Sequence, residues 1–212
     1  MPKAKPKHHH SAKHLSKSDP IMRALIRAHG PFTLAPDPMR APFQVLVQAV
    51  ANQQLNGKAA ATILGRFVAL FPGKRFPAPE DIASVTDDQM RGVGFSRAKV
   101  ASIRDIAAKT IEGVVPSMRR IVKMEDDEIV ERLIEVRGVG RWTVEMLLIF
   151  KLGRLDVLPA DDFGVRNGFR VAYKLKEMPH KNVLLEHGER WRPFRSVASW
   201  YLWRAADQSK KK

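Results

Sequence analysis

Two adjacent carboxylates, Asp161 and Asp162, follow Pro159-Ala160 and stand twenty residues beyond Trp142. A carboxylate at a helix start sits where the helix dipole and unpaired amides favour its ionised form. There it can stabilise a developing cation or orient a water molecule. The same position suits a plain N-cap, worth about 1 kcal/mol, and either aspartate can fill it. Upstream lies a second feature, the turn Arg137-Gly138-Val139-Gly140. Its two glycines open backbone angles closed to other residues and leave the amides of the turn and of the next helix bare. A helix N-terminus of this kind binds a phosphate oxygen, and such contacts hold a polyanion without reading its sequence. A simple glycine connection between two helices carries the same residues. The sister sequence Arg91-Gly92-Val93-Gly94, followed by Phe95-Ser96, reads as helix capping.

The elements that position these residues read as helices. Apolar Leu133, Ile134 and Val136 before the turn, and Val144, Leu147 and Leu148 after it, pair two arms over 125–135 and 141–152. Asp162 opens a helix running to about Lys174, and a last helix begins near Pro193. Toward the N-terminus, Ser18-Asp19-Pro20 starts a helix that stops at Gly30. Four prolines in 31–42 make an irregular connection. A helix from Phe43 breaks at Gln53-Gln54-Leu55-Asn56, and Asn56 caps the next one, which ends at Pro72-Gly73. Pro79 and Thr86 open two short helices, and Ser96 caps a long one through about Glu112. No alternating pattern exceeds four residues, so the fold class is all-α, roughly ten short helices.

The net charge of +15 and pI of about 10.4 favour a polyanionic partner, nucleic acid before an anionic membrane. Residues 1–18 carry five lysines and no acid, which reads as a solvated, disordered basic arm, with 19–212 as the folded part. The chain has no cysteine, which excludes disulfides, thiolate chemistry and iron–sulfur ligation. No apolar run reaches the roughly 18 residues needed to span a membrane. A soluble, intracellular protein is the expectation.

The combination LIEVRGVGRWT with Pro159-Ala160-Asp161-Asp162 resembles the helix–hairpin–helix DNA glycosylase superfamily, with its Gly/Pro-rich loop and aspartate. FQVLVQAVANQQLNGKAAATI, GFSRAKVASIRDIA and ERWRPFRSVASWYLW extend the likeness over about four-fifths of the chain. Within that superfamily it is most similar to the 3-methyladenine DNA glycosylase II type. The resemblance implies two helical lobes with a DNA-lesion cleft between them, a middle lobe over about 50–150 holding the hairpin and a second built from both flanking segments. It implies a monofunctional enzyme that flips alkylated bases out of double-stranded DNA and hydrolyses the N-glycosidic bond in base excision repair. The expected species is a monomer, cytoplasmic and nucleoid-associated in a bacterium or nuclear in a eukaryote.

The resemblance also assigns residues. Asp162 becomes the catalytic carboxylate, and Trp142, Met146, Phe163 and Trp203 line the base pocket, where aromatic faces hold a base without one fixed hydrogen-bond pattern. Gln53, Gln54 and Leu55 become the wedge loop, with Gln54 or Leu55 filling the gap in the duplex. By the chemistry of the turn rather than by the resemblance, Arg137, Gly138, Val139, Gly140, Arg141 and Thr143 are the candidate DNA-backbone contacts, with Arg137, Arg141 and Lys99 as basic phosphate neighbours. By the resemblance, the backbone oxygens of Ile134, Val136 and Val139 hold a sodium or potassium ion, and no other cofactor is expected. Bifunctional relatives carry a lysine where this chain has Trp142, so no Schiff base is expected. A cationic alkylated purine leaves as a neutral molecule, which fits the lack of an obvious second acid. The alternative is a non-catalytic helix–hairpin–helix DNA-binding module, which would share the hairpin and the charge.

Overall fold

The computed structural model describes residues 6–37 and 41–209. Among them every regular element is helical. The α-helices are α1 (Pro6–Ser18), α2 (Pro20–His29), α3 (Pro42–Asn52), α4 (Gly57–Ala69), α5 (Asp87–Gly92), α6 (Arg97–Ile111), α7 (Met118–Ile121), α8 (Asp126–Ile134), α9 (Arg141–Phe150), α10 (Phe163–Ala172), α11 (Lys181–Gly188) and α12 (Arg195–Ser209). Short 3-10 turns occupy Pro79–Ser84 and Glu189–Trp191. The chain divides into two compact units: Met1–Asp37 with Leu148–Lys212, and Pro38–Leu147. No helix among the described residues is long and apolar enough to cross a membrane.

The helix starts follow local chemistry. Asp19 accepts from the amides of Ile21 and Met22 and caps α2, while Asn56, Thr86 and Ser96 cap α4, α5 and α6 through the amides of Ala59, Gln89 and Lys99. Thr86 and Gln89 close a reciprocal capping box. The segment after Pro79 is a 3-10 turn rather than the expected α-helix. Two short helices without a strong apolar stripe, α7 and α11, were not expected from the sequence.

The basic segment before Asp19 is a correction. From Pro6 onward it is the helix α1, not a solvated arm. Ser11, Leu15 and Asp19, spaced four apart, are buried, and His14 lies edge-on to Phe194 at 5.5 Å. A one-residue-wide buried stripe among lysines is enough to dock this helix while its charges stay in water. Residues 1–5 of the expected arm lie outside the described residues.

The core of the first unit gathers Leu15, Met22, Val165, Phe169, Trp191, Val197 and Tyr201. At its centre the buried Asp19 carboxylate accepts hydrogen bonds from Tyr173 Oη, His187 Nε2 and Trp191 Nε1, besides those two α2 amides. Burial alone would raise the carboxyl pKa, yet the donors from His187, Tyr173 and Trp191 and the Met22 amide together hold it far below the usual value. Burial, then the bond to Asp19, pushes Tyr173 well above an ordinary phenol. In the second unit Phe67 meets Phe71, Phe76 and Phe95 edge-on, at 5.4, 6.2 and 5.4 Å.

Candidate functional site

Asp162 is the N-cap of α10: its Oδ1 accepts the Val165 amide at 2.7 Å. The same oxygen accepts the indole N–H of Trp203 at 2.7 Å. Asp161 does not compete for the cap, because it is exposed and pairs with Lys181 at 3.1 Å. The N-cap reading of Asp162 holds, and the backbone donor that caps the helix also fixes the direction of the carboxylate. Phe163, the next residue, is 68% exposed, an uncommon state for an aromatic ring beside a polar centre.

Trp203 comes from α12, with its ring stacked on Phe150 at 5.5 Å and 28°. Its position depends on how tightly α10 and α12 meet. A Cβ built on Gly168 would stand 1.9 Å from the Leu202 carbonyl oxygen, and one on Gly164 would stand 2.8 Å from Trp203 Cδ1. Only glycine at these positions lets the two helices approach so closely. The loop before Asp162 is fastened to the start of α12. Asp156 accepts from Arg195 Nε at 2.8 Å and Arg192 at 2.9 Å, while Ser196 Oγ accepts the Val157 amide at 2.9 Å. Neither the Gly164/Gly168 pair nor the Asp156 clamp was identified from the sequence. The four-residue glycine spacing on one helix face was the readable signal for the first.

In the other unit, α8 and α9 are the arms of the hairpin. Only Gly138 takes a left-handed angle, φ 79°. A Cβ there would lie 2.5 Å from Ser102 Oγ, so this glycine is required by both torsion and contact. Gly140 corrects the sequence reading: its φ is not in the left-handed region, and no atom lies within 4 Å of a Cβ placed on it. Its bareness leaves open space before the first turn of α9. In the sister turn the second glycine bends instead, with Gly94 at φ 116° against Ile63. The two Gly-Val-Gly sequences are thus different turns, and the second closes α5 as expected.

The remaining hairpin residues divide. Arg137 and Arg141 are exposed, Val139 is buried, and the Arg137 amide is already bonded to Asp105 Oδ2 at 2.8 Å. The Thr143 side chain is buried, so only its amide, in the first turn of α9, faces the role expected of it. Trp142 is 48% exposed and Met146 half-buried on α9. Ile134, at the end of α8, is exposed and Val136 buried.

The loop between α3 and α4 also belongs to this unit. Gln54 and Leu55 are exposed. Gln53 donates its side-chain Nε2 to the Gly138 carbonyl at 2.9 Å, so its amide is bound within the protein. Lys99 is a further correction to the expected phosphate contacts. Its ammonium bonds the carbonyls of Ala51 at 2.9 Å and Gln53 at 2.8 Å, and burial lowers its pKa below the usual lysine value.

Comparison with known proteins agrees with this arrangement. The pattern of the HhH-GPD superfamily base excision DNA repair protein matches residues 47–193. DNA-3-methyladenine glycosylase 1 of Schizosaccharomyces pombe is 41% identical over 91% of this chain and 85% of its own. A solved structure of an S. pombe 3-methyladenine DNA glycosylase in complex with abasic DNA has a TM-score of 0.81 at 41% identity, covering 92% of this chain and 95% of that one. A DNA-3-methyladenine glycosidase from Bacillus halodurans reaches a TM-score of 0.87 at 32% identity, covering 100% and 94%. With its hairpin, its capped aspartate and these matches over most of its length, the chain belongs to the HhH-GPD superfamily of base excision DNA repair proteins.

Proposed function

We propose that this protein is a monofunctional DNA glycosylase of the 3-methyladenine II type, acting as a monomer on double-stranded DNA that carries alkylated bases. The observation that carries the reading is the Asp162 carboxylate, held by a helix-start amide and the Trp203 indole beside the exposed ring of Phe163. A carboxylate fixed in this way can stabilise positive charge on a deoxyribose without first reorganising. A purine nucleoside alkylated on a ring nitrogen such as N3 or N7 already carries a positive charge. When its N-glycosidic bond breaks, the bonding pair moves to the base, which departs neutral. Water then adds at the sugar carbon and loses a proton, with Asp162 as the nearby anion. The exposed ring of Phe163, next to Asp162, offers a broad face on which an extruded base can stack. Trp142 takes the sequence position, just after the hairpin, at which bifunctional relatives carry a lysine, which supports simple hydrolysis.

The hairpin is assigned to the phosphate backbone through the leading amides of α9, with Gly140 leaving room for the approach. The backbone oxygens of Ile134, Val136 and Val139 are the ones that would hold a sodium or potassium ion at the hairpin. Ile134 is the last residue of α8, where carbonyls lack intrahelical partners, and Val136 and Val139 lie beyond it. Val136 accepts the Val139 amide at 3.0 Å and keeps a second lone pair.

Incubating alkylated duplex with the protein and then with alkali tests the reading. The wild type should produce abasic sites and no borohydride-trapped adduct. Asp162→Asn should bind the same duplex while excision falls by about 10²–10³-fold. Undiminished turnover in that variant would remove Asp162 from the mechanism.

A further inference from the structure

The loop Gln53-Gln54-Leu55 is under unusual constraint. Gln54 has φ 57°, a left-handed angle that residues with a Cβ seldom hold unless their surroundings impose it. Those surroundings are specific. On one side, Lys99 Nζ joins the carbonyls of Ala51 and Gln53, which close α3. On the other, the Leu55 amide bonds to Asn52 O at 3.2 Å, and Asn56 caps α4. Between them the Gln53 side chain reaches a residue 85 positions away, the Gly138 carbonyl of the hairpin. The hairpin rests on the same support: Ser102 lies against Gly138 and Asp105 accepts the Arg137 amide. Lys99, Ser102 and Asp105 recur every three residues along α6, so one helix holds both the loop and the hairpin.

We propose that Gln53 and Lys99 are positioning residues that brace the 53–55 loop as a preformed wedge at a fixed separation from the phosphate-binding hairpin. The inference rests on the glycosylase reading above. A base leaves the stack only if the hole behind it is filled, and the filling side chain must arrive at a set distance from the clamped phosphate. An unbraced loop would have to be ordered during flipping, at a cost in conformational freedom. A loop tied through Gln53 Nε2 to the hairpin arrives already ordered. Gln53 thus acts through the protein and Gln54 or Leu55 enters the duplex, which revises the sequence expectation that all three contact DNA.

The test compares wild type, Gln53→Leu and Lys99→Met on duplexes holding one alkylated base, either paired or displayed in an unpaired bulge. Single-turnover excision of the paired lesion should fall about tenfold in each variant, the scale of one lost hydrogen bond. On the bulged lesion, where no hole is left to fill, the loss should shrink below about twofold. Affinity for undamaged duplex and its salt slope should stay unchanged, because no phosphate contact is removed. Equal losses on both substrates, a changed salt slope, or no loss at all would overturn the proposal. Flipping is also read by 2-aminopurine fluorescence opposite the lesion in an Asp162→Asn background. There a Gln53→Leu change should lower the signal, and an unaltered signal would overturn the brace. This second readout needs no chemistry, so a wild type that excises nothing would defeat the glycosylase reading while the brace is still judged.

Discussion

At Asp162 one carboxylate oxygen joins a helix start to a side chain from another helix. Val165 and Trp203 donate to the same Oδ1, so the carboxylate is oriented by a helix end and by a side chain from α12. Trp203→Phe keeps the ring stacked on Phe150 but deletes one donor. Hydrogen bonds to charged groups contribute about 1.5–3 kcal/mol, so kcat should fall about ten- to a hundredfold with little change in duplex affinity. A stopped assay on alkylated DNA with a parallel binding titration separates the two quantities. A lowered affinity with kcat intact would assign the indole to base binding instead.

At the scale of elements, each unit has one glycine-dependent feature, and substitutions at the two should fail differently. At Gly168 the obstacle to a side chain is the backbone of Leu202, which cannot move aside as a flexible side chain can. Gly168→Ala should therefore destabilise the protein by about 1–3 kcal/mol or more through overpacking, read as a lowered Tm, and should blunt excision by separating α10 from α12. Gly140→Ala is the contrast, because its Cβ meets nothing within 4 Å. Its Tm should hold while duplex affinity falls. A Gly140 variant with unaltered affinity would locate the phosphate elsewhere on the hairpin. The helix α6 is the element whose role extends furthest beyond its sequence signal, since Lys99, Ser102 and Asp105 look like ordinary polar positions on an amphipathic helix.

At the scale of the whole molecule, the buried Asp19 network ties α2 to the 169–191 region. Its folded pKa lies far below the ordinary 3.8. A depressed carboxyl pKa contributes stability that is complete above the unfolded value and is lost as pH falls toward the folded one. Wild type should therefore lose stability below about pH 4, and Asp19→Asn should flatten that part of the curve while starting from a lower plateau. Thermal unfolding from pH 7 to pH 2.5 reads both effects. Parallel curves for the two proteins would show that Asp19 does not govern acid sensitivity.

Some of this was written locally and some was not. Helix starts at Asp19, Asn56, Thr86, Ser96 and Asp162 were legible because a capping side chain bonds amides two or three residues away. The all-α class was legible through helical periodicity, whereas the hairpin and Asp162 were singled out by their resemblance to a known family. The docking of α1, the Asp156 clamp, the approach at Gly168 and the tie from Gln53 to Gly138 were decided only in three dimensions. Each joins residues distant in the chain, and neither their type nor their spacing specifies the partner. Local hydrogen bonding is determined by neighbours in sequence, whereas the aim of a side chain across a packed unit is determined by which surfaces the core brings together.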